Sequence, residues 1–194
     1  RLIEVSPFDG IKVSKVVSNN KKQEISREVC DKLIDAADPY LAAIIAFARY
    51  GGLRIASELL SMEWSNVDWE NSRFTFYSPK TKSERTTPIF PELKPHFDNL
   101  WEMAEQGEQY VFTRNRSAAN RRYRAWMLKL IKDTPGVEPW PDIWRNLRYT
   151  RKNELLRRHP EHAVCEWIGH DRETGRKYYD RATEADFEDA LQPE

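Results

Sequence analysis

A nine-residue apolar run constrains the fold of this chain more than any other feature. Residues 40–48 read YLAAIIAFA, and the run ends at Arg49. A helix that is apolar on nearly every side must be surrounded by other elements, so residues 40–50 are predicted to form a buried core helix. The run is about half the length of a membrane-spanning helix. A chain of 194 residues is long enough to bury such a core in one domain.

The segments around this run show both helical and strand patterns. Apolar residues repeat at helical spacing over 25–38, with Ser26 as the N-cap, and again over 117–132. Segment 66–90 has β-rich residues separated by turn residues, which predicts two or three antiparallel strands. Further helices are predicted at 57–62, from Pro91 to about Glu105, and at 143–158, 160–168 and 184–191. We therefore predict a mainly α fold with a small antiparallel β-sheet (α+β).

The composition excludes several classes of protein. Hydrophobic residues make up 40% of the chain and Trp occurs 7 times, which is too apolar for a disordered protein. Cys30 and Cys165 are far apart and form no CxxC pair, as expected of reduced thiols in the cytoplasm. The His and Cys residues lack the spacing of zinc ligands, so we expect no structural zinc site. We also expect no other metal and no cofactor. The first ten residues contain no apolar leader segment, which also favours a cytoplasmic location.

The charges balance overall but are unevenly distributed. Lys and Arg together number 31, as do Asp and Glu. Segment 114–132 nevertheless carries seven basic residues and no acid, and segment 145–158 carries six against Glu154 alone. Because local potential rather than net charge governs contact with a polyanion, these segments are compatible with nucleic-acid binding. The alternative interpretation is that they are solvated faces of helices.

Two segments place charged side chains at regular spacing. In residues 51–60, Arg54 follows a Gly-Gly break and Glu58 comes one turn later. On a helix over residues 144–156, three cations would lie along one stripe: Arg145, Arg148 and Lys152.

A third segment, residues 167–187, combines a glycine turn with two tyrosines. His170 directly follows Gly169, and Tyr178 and Tyr179 come eight and nine residues after it.

Taken together, these segments resemble the catalytic domain of the tyrosine recombinases, the phage integrase family. The boxes of that family are G-L-R with a following Glu, T-K-T on a β-hairpin, H-x-L-R, L-G-H, and a Tyr nine positions after the His. This sequence carries, in the same order, Gly52-Leu53-Arg54, Pro79-Lys80-Thr81, Arg145-Asn146-Leu147-Arg148, Ile168-Gly169-His170 and Tyr179. The resemblance covers residues 22–194 as a catalytic domain. Residues 1–21 would be a connector from a missing N-terminal core-binding domain.

The resemblance implies site-specific DNA recombination or integration through a covalent 3′-phosphotyrosine. Arg54 and Arg148 would bind the phosphate, and Lys80 would protonate the leaving 5′ oxygen. His170 would bond the phosphate or accept the proton of the nucleophile. Its spacing from His170 makes Tyr179 the expected nucleophile, with Tyr178 as the alternative.

This sequence departs from the family pattern at two positions. Arg145 stands where the family usually has His, and a permanently charged Arg donates hydrogen bonds but accepts no proton. The acid after Arg54 usually comes three residues later, whereas position 57 is Ser and Glu58 comes fourth. An extra residue at the start of the helix would explain this shift. We expect Glu58 to support catalysis by orienting Arg54 through a salt bridge.

The expected partner is double-stranded DNA. Candidate DNA-binding residues are Arg121, Arg122, Arg124 and Lys152. The resemblance also implies a homotetramer when the chain is assembled on DNA, and the isolated chain could be a monomer. The expected location is the nucleoid of a bacterial cell, with no association with a membrane. Two alternatives stay open: a catalytically inactive DNA-binding relative, and a type IB topoisomerase-like enzyme that relaxes DNA by the same phosphotyrosine chemistry.

Overall fold

Six α-helices and one three-stranded sheet form the part of the chain that the computed structural model describes, residues 22–114 and 116–169. The helices are α1 (Arg27–Ala36), α2 (Pro39–Arg49), α3 (Lys94–Glu102), α4 (Ala119–Asp133), α5 (Ile143–Leu156) and α6 (Glu161–Ile168). The strands are β1 (Val67–Asp68), β2 (Arg73–Ser78) and β3 (Ser83–Pro88). The prediction of a mainly α fold with a small antiparallel sheet is confirmed.

Helix α2 is the centre of the core, as its apolar sequence predicts. All of its residues from Tyr40 to Arg49 are buried. Asp38 caps its first turn by accepting hydrogen bonds from two backbone N–H groups, and Pro39 occupies the first helical position, where its missing N–H costs nothing. The ring of Phe47 makes edge-to-face contacts with three other aromatic rings: Phe74, Phe97 and Phe112.

The sheet has the order β1-β2-β3, and both neighbouring pairs are antiparallel. The register places Phe76 opposite Arg85, and Phe74 opposite Thr87. These four side chains are buried, because directly opposed residues of an antiparallel pair point to the same face. The hairpin between β2 and β3 is closed by the Lys82 N–H, which donates to the Ser78 carbonyl at 2.8 Å.

Most predicted helices are confirmed, with shifted ends. Ser26 caps α1 through a hydrogen bond from the Val29 N–H. The prediction of a helix starting at 57–62 is wrong, because the chain there makes turns followed by a single 3-10 turn at Leu59–Ser61. The Ser61 hydroxyl bonds the carbonyls of Glu58 and Tyr77, which favours a turn over a continuing helix. The predicted helix at 184–191 and the connector at 1–21 lie outside the described residues.

A buried ion pair joins α2 to α5. The Arg49 guanidinium is completely buried and donates to both carboxylate oxygens of Glu154, at 2.8 and 2.5 Å. Burial by itself raises the pKa of Glu154, but the hydrogen bond from Arg49 and the charges of nearby arginines together outweigh burial and lower that pKa. The pair holds the helix that carries Arg148 against the core. Over the described ranges, none of the helices combines the length and the apolar character that a bilayer crossing requires.

Candidate active site

Glu58 lies at the centre of a buried cluster of charged groups. Its side chain is 0% exposed. Oε1 accepts hydrogen bonds from Arg54 Nη1 at 2.5 Å and from the Ser78 hydroxyl at 2.8 Å. Oε2 accepts from the Arg54 backbone N–H and from Arg85 Nη2, both at 2.7 Å, and lies 3.4 Å from Arg148 Nη1. We call Glu58, Arg54, Ser78, Arg85 and Arg148 the Glu58 cluster.

The same three arginines also bind the backbone at the C-terminal end of α6. Arg54 Nη2 donates to the Gly169 carbonyl at 3.2 Å. Arg85 Nη1 and Arg148 Nη2 both donate to the Ile168 carbonyl. Carbonyls at this end of a helix have no intrahelical partner and carry partial negative charge, so cations stabilise them. The arginines therefore join Glu58 to the residues that immediately precede His170 in the sequence.

Two glycines allow this close approach. Gly169 ends α6 with a φ of +68°, and a Cβ there would collide with the Arg85 guanidinium. Gly52 has a φ of +64° and accepts a hydrogen bond from Arg148 Nη1, and a Cβ there would collide with the Ile168 side chain. The glycines of two separate boxes are therefore needed for the same cluster.

The electrostatics of the cluster favour an anion. Burial raises the pKa of Glu58, but Arg85, Arg148 and Arg54 outweigh burial and lower that pKa to about 2. Burial lowers the pKa of Arg85, and Glu58 offsets part of this effect. One carboxylate thus faces three guanidinium groups, which leaves an excess of positive charge. The Arg54 side chain is the most accessible of the three, at 19% exposed against 8% for Arg148 and 5% for Arg85.

The extra residue between Arg54 and Glu58 is absorbed by a turn. The Glu58 N–H donates to the Arg54 carbonyl at 3.0 Å, and this bond returns the Glu58 side chain to the Arg54 guanidinium. The expected orientation of Arg54 by Glu58 is therefore visible in the geometry, even though the spacing differs from the family pattern.

The structure places Lys80 and Arg145 outside the cluster. Lys80 is exposed in the hairpin between β2 and β3, two residues beyond Ser78. Arg145 is a surface side chain on α5, 68% exposed, with Nη1 3.8 Å from the Asp142 carboxylate. Arg148 and Lys152 on the same helix are buried, so the expected stripe of three cations is divided between the surface and the interior.

The candidate DNA-binding residues also separate into two groups. Arg121, Arg122 and Arg124 are exposed on α4. Lys152 is only 2% exposed, because α5 packs between α2 and α6, so we do not include it in the DNA interface. A cleft of about 620 Å³ lies between turn 55–57 and the start of α4, with Arg121 in its wall.

Three predicted site residues cannot be placed. His170, Tyr178 and Tyr179 lie outside the described residues. Within residues 22–114 and 116–169, no three or more His, Cys, Asp or Glu side chains are grouped so that they could hold a metal ion.

Sequence reasoning missed Arg85 and Ser78. A signal was present in the strand pattern, because pairing across the hairpin places Arg85 opposite the inward-facing Phe76. The guanidinium lies over that ring, 4.5 Å from its centroid.

Comparison with known proteins agrees with this fold. The profile of the phage integrase family matches residues 23–185. A crystal structure of XerA recombinase has a TM-score of 0.69 and 21% identity, covering 89% of this chain and 66% of that chain. The Tn1549 transposon integrase in complex with circular intermediate DNA has a TM-score of 0.69 and 17% identity, covering 98% and 71%.

Lambda integrase bound to DNA is also similar, with a TM-score of 0.62 and 14% identity, covering 84% of this chain and 65% of that chain. This chain thus spans about two thirds of the length of these structures. No curated protein matches it. The profile covers well over half of the sequence, and the similar structures share the arrangement of helices around a small sheet. This chain therefore belongs to the phage integrase family.

Proposed function

We propose that this chain is the catalytic domain of a site-specific DNA recombinase or integrase of a mobile element. It cleaves one DNA strand and rejoins it to another through a covalent 3′-phosphotyrosine on Tyr179. The catalytic domain comprises residues 22–194, and residues 1–21 connect it to a core-binding domain. Membership of the phage integrase family supports this proposal.

The observation that carries the proposal is the Glu58 cluster. Arg54 and Arg148 come from boxes far apart in the sequence, yet both contact Glu58. Arg54 also donates to the Gly169 carbonyl, and Arg148 donates to the adjacent Ile168 carbonyl. A chance occurrence of short motifs gives no reason for these segments to meet around one carboxylate. Their convergence is what a phosphate-binding site built from separate boxes requires.

The proposed chemistry is an exchange of phosphodiester bonds. The Tyr179 oxygen attacks phosphorus, the bond from phosphorus to the 5′ oxygen breaks, and the 5′ oxygen takes a proton from Lys80. His170 bonds the phosphate or accepts the tyrosine proton. Arg54 and Arg148 donate hydrogen bonds to the non-bridging oxygens, where negative charge accumulates in the transition state. The phosphotyrosine keeps the bond energy, so rejoining needs no ATP.

The hairpin position suits the role of Lys80. Its exposed side chain is carried by a turn anchored at Ser78, whose hydroxyl contacts both Arg54 and Glu58. A general acid on this turn is therefore close in the chain to the proposed phosphate site. The long side chain of Lys80 is exposed and takes no part in the Glu58 cluster. Arg145, exposed on α5, would add a hydrogen-bond donor to the DNA side of the site.

Double-stranded DNA is the proposed partner. The cleft lies between turn 55–57, which separates Arg54 from Glu58 in the sequence, and the start of α4 with Arg121. Arg122 and Arg124 are exposed on the same helix. These cations would neutralise backbone phosphates and make binding dependent on salt. The proposal includes assembly as a homotetramer on two duplexes. The proposed location is the bacterial cytoplasm, in association with the nucleoid.

Covalent trapping tests this function. The chain is incubated at micromolar concentration with nicked duplexes of randomised sequence, and protein–DNA adducts that survive detergent are isolated and sequenced. We expect adducts with the parent and with Tyr178→Phe, and none with Tyr179→Phe, although all three bind the selected duplex equally. Adducts from Tyr179→Phe but none from Tyr178→Phe would move the nucleophile by one residue.

The same experiment separates the two alternatives. Absence of adducts with every duplex would favour an inactive DNA-binding relative. If adducts form, assays of plasmid relaxation and of strand joining are added: relaxation of supercoiled plasmid without joining of two different duplexes would favour the topoisomerase-like activity.

A further inference from the structure

Arg85 is a buried cation with no role in the proposed chemistry. Its side chain is 5% exposed. One side of the guanidinium donates to Glu58 Oε2 at 2.7 Å, the other donates to the Ile168 carbonyl, and its flat face lies over Phe76. A buried charge is costly unless it is paired and hydrogen-bonded, and these contacts supply the pairing that the buried Arg85 requires.

Arg85 determines how the Glu58 carboxylate is turned. Arg85 holds Oε2, which also accepts the Arg54 backbone N–H. This leaves Oε1 directed toward the Arg54 guanidinium and the Ser78 hydroxyl. If the hydrogen bond from Arg85 were lost, the carboxylate could rotate toward Arg148. The Arg54 guanidinium would then no longer be held in a fixed orientation.

Arg85 also links strand β3 to the end of α6. It shares the Ile168 carbonyl with Arg148. Two residues along the same strand, the Thr87 hydroxyl donates to the Trp167 carbonyl at 3.0 Å. The strand that follows the Lys80 hairpin is thereby attached to the segment that leads into His170.

We propose that Arg85 is a positioning residue of the recombination site. It does not contact DNA. It fixes Glu58 and the Ile168 carbonyl relative to each other, so that Arg54, Arg148 and the hairpin of Lys80 are held in one arrangement before DNA binds. The proposal rests on the recombinase function proposed above, and it adds a fifth basic residue to the four that the family boxes indicate within the described residues.

The test compares two substitutions with a matched control. Arg85→Met keeps the length of the side chain but removes the charge and the donors. Arg85→Lys keeps the charge but cannot donate to Glu58 and to the Ile168 carbonyl in a planar fork. Arg73→Met is the control, because Arg73 lies exposed in the same sheet. Folding is checked by circular dichroism, and adduct formation is measured at saturating concentrations of the duplex selected by trapping.

We expect Arg85→Met to form adducts roughly a hundredfold more slowly, which is the usual effect of a misplaced catalytic group. Arg85→Lys should fall between Arg85→Met and the parent, and Arg73→Met should match the parent. Affinity for the duplex, measured in the Tyr179→Phe background, should change less than about threefold. A parental rate for Arg85→Met overturns the proposal. If that variant does not fold, a parental rate for Arg85→Lys overturns it instead.

An equal loss of rate and of DNA affinity would also overturn the proposal, because it would make Arg85 a DNA contact.

A pH profile distinguishes positioning of Glu58 from a general packing role. The groups that face Glu58 are Arg54 from the preceding turn, Ser78 from β2, Arg85 from β3 and Arg148 from α5. Arg85 is the strongest of the cations that lower the pKa of Glu58. Its removal should therefore raise the pKa of Glu58. The pH below which the rate of adduct formation declines, and the pH at which the protein unfolds in acid, should both increase.

Acid unfolding needs no DNA, so it remains informative if the parent forms no adduct and the proposed function fails. Unchanged acid unfolding in Arg85→Met would refute the coupling between Arg85 and Glu58.

Discussion

Replacing Glu58 with Gln tests the centre of the site most directly. Gln has nearly the same shape, but it carries no charge, and its amide group would point donors at the arginine donors around it. Removing one partner from a buried ionic cluster leaves the others uncompensated and costs about 3–5 kcal/mol. We therefore expect Glu58→Gln to fold with much lower stability at pH 7, and to lose adduct formation through Arg54.

The pKa of Glu58 gives a second figure for the same effect. The surrounding arginines lower this pKa from 4.5 to about 2. A pKa difference of about 2.5 units between the unfolded and the folded state corresponds to about 3–4 kcal/mol, at about 1.4 kcal/mol per unit. Because the folded pKa is the lower one, this stabilisation is complete above pH 4.5 and is lost as the pH falls toward 2.

The assay is urea unfolding followed by tryptophan fluorescence, from pH 7 down to pH 2.5. The free energy of unfolding of the parent should exceed that of Glu58→Gln by about 3–4 kcal/mol at pH 7, and the difference should shrink below pH 4.5. Glu70→Gln is the control, because Glu70 is an exposed carboxylate in the β1–β2 turn. A difference that stays constant down to pH 2.5 would show that the charge of Glu58 contributes nothing to the cluster.

Three further predictions concern the cations. Changing Arg54 or Arg148 to Lys should slow adduct formation at least about a hundredfold, since Lys cannot reproduce the bidentate fork; near-parental rates in both variants would remove them from the phosphate site. Arg145→His should leave the urea midpoint unchanged and preserve or raise adduct formation, because Arg145 is exposed; loss of activity in a folded, DNA-binding variant would contradict this. Lys80→Ala should slow cleavage of ordinary DNA by about 10²–10⁴-fold, yet cleave a substrate with sulfur at the bridging 5′ position nearly normally, since a thiolate leaves without a proton. Equal defects on both substrates would make Lys82 the next candidate for the general acid.

Local sequence patterns predicted the elements of the fold that depend on local physics. The nine apolar residues of 40–48 would expose apolar surface to water on every side of a helix unless they lay in a core, and α2 is buried there. Ser is a preferred N-cap residue when it stands directly before an amphipathic helix, and Ser26 caps α1. The helix expected at 57–62 does not form, because the tertiary contacts of Glu58 with Arg85 and of Ser61 with the Tyr77 carbonyl override helix propensity, which is worth less than about 1 kcal/mol per residue.

Of the candidate site, only the residues in the family boxes could be predicted from the sequence. The order of Gly52-Leu53-Arg54 and the later boxes identified the family, and the family is confirmed. Periodicity along α5 could not say whether Arg145 or Arg148 faces the interior, since both are charged and three residues apart. The choice is made by Glu58 and the Ile168 carbonyl, which come from other parts of the chain. The roles of the site residues themselves stay predictions.

The balance of charge within the Glu58 cluster would allow the proposed phosphate site to form before DNA binds. Three buried or half-buried guanidinium groups would repel one another in a medium of low dielectric, and each would prefer water. The single carboxylate offsets this cost, and the carbonyls of Ile168 and Gly169 fix the directions of the donors. One carboxylate leaves the cluster short of negative charge, which a DNA phosphate at Arg54 would supply. Because the donors are already oriented, little reorganisation is required when the charge on the phosphate grows in the transition state, and this preorganisation is the main source of electrostatic catalysis.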